Sequence, residues 1–225
     1  MTVLDRSNQR VMMVFAHADD ETLRLVESRM WPNDASSPSQ SPAAGLGLQI
    51  SLVPSTELAH KIAERISESA PDVVLTHSSY GDYGKSDCAA AFRATKLAVE
   101  SVDDEAIRFC SLEWPRWMVR INVRLMRVGG RSIRKMGSDG LFDLTLALNR
   151  PYSSTISIDV SAELGVRRKA SRWYRTEIAK GPLPMRLLER VPLILQRLFL
   201  GTAKLKVELS PEGFHQTYGF FTGND

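Results

Sequence analysis

With only two cysteines, Cys88 and Cys110, the 225-residue chain has no disulfide framework, and a reducing cytoplasm is the expected compartment. No apolar run approaches the roughly 20 residues that a membrane span needs. The opening Met1-Thr2-Val3-Leu4-Asp5-Arg6 lacks the apolar core of a signal peptide. Internal repeats are absent. A net charge of +3 is too small to argue for nucleic acid, and the basic stretches lack interleaved stacking aromatics. Residues 114–138 hold no acid at all. What is present is an ordinary globular composition, 43% hydrophobic and 24% charged, sufficient for one domain over 1–225 with a substantial core.

The most informative stretch runs from Val11 to Glu21. Val11-Met12-Met13-Val14-Phe15 reads as a short buried strand. The composition then flips to His17, Asp19, Asp20 and Glu21, as expected where a parallel strand delivers polar groups to the crevice outside its carboxyl end. Four ionisable side chains in five positions repel one another. A divalent cation compensates them, with imidazole and carboxylate as Zn²⁺ ligands and a spare carboxylate as base. The competing reading is a polar loop with Asp19 or Asp20 capping a helix.

Further along, Thr22 to Met30 has helical spacing, and residues 33–47 read as a flexible loop rich in Ser, Pro, Ala and Gly. Leu48 to Val53 reads as a strand remnant, and Thr56 to Ser69 as an amphipathic helix. Asp72 to Thr76 is a second buried strand. It discharges another polar, glycine-containing loop, His77 to Cys88, before a helix over Ala89 to Val99. Two such loops suggest one shared site. Ala106 to Leu112 reads as a third strand. Arg116, Arg120, Arg124, Arg127, Arg131, Arg134 and Lys135 then recur every three or four positions, which places a cationic row on one helical face, although strand-like alternation over Val119 to Leu125 competes with that reading. Such a row is a solvated face or a site for phosphate or an anionic lipid surface. Thr155 to Val160 alternates as a strand, and Ala162 to Ile178 continues as a helix. Gly181 to Pro184 is a linker, and Leu187 to Leu200 carries an apolar stripe suited to core or interface packing.

Ala16-His17-Ala18-Asp19-Asp20-Glu21 resembles the Ala-His-Pro-Asp-Asp-Glu signature of the PIG-L/LmbE-like zinc-dependent N-acetylglucosaminyl deacetylases, with Ala18 at the proline. Gly81-Asp82-Tyr83-Gly84-Lys85-Ser86-Asp87-Cys88 resembles that family's Gly-x-Tyr-Gly-His-Pro-Asp-His, with Lys85 and Cys88 replacing both histidines. The strand at 155–160 matches a third region, where Tyr174 stands in place of a histidine. Residues 22–55 are shorter than the corresponding family segment.

The resemblance implies an α/β fold of LmbE type: a Rossmann-like, mainly parallel sheet with helices on both faces. It implies removal of an N-acetyl or other N-acyl group from an amino-sugar substrate, anionic or lipid-linked, by a site holding Zn²⁺ or another divalent metal. His17, Asp20 and Cys88 would be the metal ligands and Asp19 the general base. Tyr83 and Lys85 would stabilise the oxyanion, and Asp87 would orient its neighbours. The alternative is a family member freed from catalysis, acting as a binding module for an anionic ligand or, by peripheral contact, a membrane surface.

Overall fold

The computed structural model describes residues 10–16, 50–82, 86–130, 132–134, 145, 148, 156–171 and 183–209. Five strands form one sheet in the order β1-β2-β3-β5-β4: β1 is Val11–Val14, β2 Val73–Thr76, β3 Arg108–Glu113, β4 Ile156–Asp159 and β5 Thr202–Leu209. β1, β2 and β3 pair in parallel, with Val11 opposite Val73 and Val73 opposite Arg108. β5 lies antiparallel to both β3 and β4, so it alone runs against the other four. This is the expected mainly parallel, Rossmann-like α/β sheet.

Among the described residues six helices accompany it: α1 Ser55–Ser69, α2 Ser86–Val102, α3 Arg116–Val128, α4 Leu164–Ser171, α5 Leu183–Leu188 and α6 Leu193–Leu200. The run Val73-Val74-Leu75-Thr76, β-branched at three of its four positions, is buried on both faces, as a strand inside a parallel sheet must be. Its alternation splits the core in two. Val74 joins Phe109, Phe92 and Ile66 beneath α1 and α2, whereas Val73 and Leu75 join Cys110, Leu112, Ile158 and Leu205 on the opposite face. α1 begins after Pro54 and ends at Ala70, whose backbone turns left-handed with its amide on the Ile66 carbonyl at 2.8 Å. Pro71 has no amide hydrogen with which to continue the helix.

Three local expectations change. Ile50–Leu52 is a 3-10 turn rather than a strand remnant, with Leu52 exposed. Its Ser51 amide is instead held by the Asp87 carboxylate at 2.8 Å, which ties the turn to the start of α2. The apolar run at 187–200 is broken at Pro192 into α5 and α6, and α5 already begins inside the expected linker. β5 is an element that the sequence reading leaves unassigned. The expected helix at 22–30 and loop at 33–47 lie outside the described residues.

Candidate metal site at the carboxyl ends of the strands

The site is assembled where β1, β2 and β3 end side by side. Beyond β1 the chain passes through Phe15 to Ala16, which is buried against Cys88 and Ala91 of α2. Beyond β2 the first residue is His77, wholly buried, with its ring edge-on to Phe15 at 5.1 Å. The Ala16 amide donates to His77 Nε2 at 2.8 Å. An amide can only donate, so Nε2 must be the bare nitrogen of a neutral ring, and the single proton sits on Nδ1. Nδ1 faces Asp82 Oδ2 at 2.8 Å. His77 is therefore a clamp between the exit of β1 and the loop after β2.

That loop is held open for Asp82 by its own backbone. Gly81 and Asp82 both have positive φ, 69° and 63°. Glycine adopts this without steric cost, and aspartate is among the few other residues that tolerate it. Ser78 offsets the strain at Asp82. Its hydroxyl accepts from the Asp82 amide at 2.6 Å, and its own amide and hydroxyl both donate to Asp82 Oδ1 at 3.2 Å. The Gly81 amide closes the turn on the Ser78 carbonyl. Deep in the same loop, the Tyr80 hydroxyl donates to Glu113 Oε2 at the end of β3, at 2.7 Å. Burial raises the Glu113 pKa above its ordinary value, opposed by the Tyr80 hydrogen bond and the Lys206 ammonium. Burial and the adjacent Glu113 carboxyl push the Tyr80 hydroxyl far up, so it remains a donor.

Cys88 is the third residue of α2 and fully buried. Its sulfur, a nitrogen of His77 and an oxygen of Asp82 all lie within 4.8 Å of one another, so these three residues can hold a metal ion. Imidazole, carboxylate and thiolate together are a donor set suited to zinc. Donors around a tetrahedral zinc stand roughly 3.3–3.8 Å apart, given bond lengths of about 2.0–2.3 Å. The spacing is therefore compatible with an ion after small adjustments.

The imidazole sets the condition. If Nδ1 binds an ion, the ring proton moves to Nε2, where the Ala16 amide would oppose it donor to donor. Ion binding through His77 and the hydrogen bond to Ala16 are thus alternatives.

Among the residues expected from the sequence, Cys88 stands at this edge, and Asp87 beside it is engaged with Ser51. His17, Asp19, Asp20, Tyr83 and Lys85 lie outside the described residues. His77 and Asp82 carry no role in the sequence reading. Their signal was position: His77 is the first residue past a fully buried parallel strand, and Asp82 follows a glycine in the loop it opens.

No protein-family profile matches the chain, and no curated protein matches it.

Proposed function

We propose that this protein is a metal-dependent amide hydrolase that removes an N-acyl group from an amino-sugar-containing substrate. The observation that carries the reading is the placement of Cys88. Its buried sulfur lies beside histidine and aspartate donors and against Ala16, the residue at which β1 hands over to His17-Ala18-Asp19-Asp20-Glu21. The concentration of acids that the sequence sets directly after Ala16, together with a buried thiol against Ala16, calls for a cation. In this reading His17, Asp20 and Cys88 hold zinc, which would lower the pKa of a bound water and polarise an acyl carbonyl. Asp19 takes the proton of the attacking water and returns it to the departing amine. Tyr83 and Lys85 supply donors to the tetrahedral oxyanion. His77 is a positioning residue that fixes the β1 exit through Ala16.

A second reading has its own supporting observation. Both nitrogens of His77 are already spent within the protein, and Lys85 and Cys88 replace the histidines of the resembling signature. A fold retained as a binding module would look like this.

Metal analysis separates the two. Protein purified without chelator should carry near-stoichiometric zinc, should lose it in Cys88→Ala, and should release free amine from N-acetylglucosamine-bearing substrates. Asp19→Asn should retain the metal and lose the hydrolysis. Metal-free protein that stays inactive after zinc is added would discard the hydrolase in favour of the module.

A further inference from the structure

α6 is built inside out. Of its eight residues only Gln196 and Arg197 are polar, and Gln196 is wholly buried, donating its amide to the Leu188 carbonyl at 2.8 Å. Ile194 and Leu198 are instead 73% and 76% exposed, with Leu195 and Phe199 above 40%. A helix on the surface of a globular protein normally does the reverse.

α3 continues the same surface. Its core face is Met118, Val119, Asn122 and Val123, but Trp117, Ile121, Leu125 and Val128, at spacings of four, four and three, form a second apolar stripe facing outward. Trp117 and Phe199 meet with ring centroids 5.4 Å apart, which joins the two stripes into one patch. Isolated exposed apolar residues need no explanation, whereas a continuous patch shared by two helices does.

The charge around the patch has one sign. Arg120, Arg124 and Arg127 are exposed on α3, and Arg186, Arg190 and Arg197 are exposed on and between α5 and α6. Residues 116–130 and 183–201 contain a single acid, Glu189, and it is bonded to Arg167 and Ser171.

We propose that this face docks the protein on the surface of an anionic lipid bilayer. The apolar side chains of α6 and the outer stripe of α3 enter the headgroup–acyl boundary, and the arginines meet lipid phosphates. Apolar and aromatic side chains beside arginines are the composition of helices that lie in that boundary. No helix among the described residues is long and apolar enough to cross a membrane, so the contact is peripheral. A second copy is the poorer occupant, because a two-fold interface would press the same arginines against themselves. The inference stands independently of the hydrolase reading.

The test is co-sedimentation of the full chain with phosphatidylcholine vesicles, with and without one-third phosphatidylserine. Binding is expected to the anionic vesicles and to weaken strongly between 50 and 500 mM salt. Ile194→Ser with Leu198→Ser should lower it on the order of ten-fold or more. Arg120→Ala with Arg124→Ala should lower it roughly twenty-five-fold at low salt, at about five-fold per arginine. All four positions are exposed, so circular dichroism should show the variants folded. Brominated acyl chains should quench tryptophan emission less in Trp117→Phe. Equal binding to both vesicle types, no binding to either, or binding that neither pair of substitutions weakens would overturn the proposal. A dimer that Leu198→Ser dissociates would assign the face to a second copy and overturn it as well.

Discussion

At Glu113, burial raises the carboxyl pKa, and the sign of that shift fixes how stability depends on pH. A carboxyl that protonates more readily in the folded state stabilises the fold fully below its unfolded pKa of about 4.5, and this contribution is lost as pH rises through the folded value. We therefore expect this contribution to the melting temperature to fall away as pH rises above the ordinary glutamate range. Glu113→Gln should flatten that slope, because the amide oxygen still accepts from Tyr80 without ionising. An unchanged slope would mean that Lys206 compensates the carboxylate fully. Tyr80→Phe removes the donor and should cost about 1–3 kcal/mol, measured by denaturant unfolding. His77→Ala strips a buried acceptor from the Ala16 amide and a partner from Asp82, for a loss of about 2–5 kcal/mol. This scale was the least legible in the sequence. The cluster His17–Glu21 announces itself by charge density, whereas within the polar loop His77 to Cys88 nothing in the sequence sets His77 apart. Its role comes from an amide sixty-one positions away.

Among the elements, the parallel strands and their helices were readable because burial writes periodicity directly: the Val73–Thr76 run and the α1 face are visible as patterns. α6 was not, because apolar residues signal a core wherever they stand, and only the structure shows Gln196 turned inward. β5 alternates apolar Ala203, Leu205 and Val207 with Thr202, Lys204, Lys206 and Glu208, a period-two signal that the sequence does carry. The junction of α6 and β5 offers a test at this scale. A Cβ at Gly201 would run into the Arg197 carbonyl and the Ser161 hydroxyl, so Gly201→Ala should destabilise by about 1–3 kcal/mol. Gly165 in α4 has open space around its Cβ position, and there alanine should stabilise by about 0.4–1 kcal/mol. Equal effects at the two glycines would show that the contact at 201 relaxes freely.

For the whole molecule, Cys110 is a built-in reporter. It lies in the central strand β3, 2% exposed, with burial pushing its thiol pKa up to about 12. Thiolate is the reactive form, so Cys110 should resist labelling at pH 8 until the sheet opens as a unit. Pulse labelling read by peptide mass should give a Cys110 rate that tracks global unfolding in urea. Fast labelling in native buffer would mean that β3 frays independently.

The order of the strands also has a consequence for synthesis. β3 is complete at residue 113, but its neighbour β5 ends at 209, and among the described strands β4 pairs only with β5. Roughly a hundred further residues must leave the ribosome before that edge is covered, about 5–20 s at ordinary elongation rates. Through that interval the nascent chain presents an open parallel sheet edge with Phe109, Cys110 and Leu112 along it, the kind of edge that recruits other strands. Attending chaperones and slow codons downstream of β3 should therefore affect yield more than any substitution in β1. Chains that terminate before residue 202 should aggregate rather than fold.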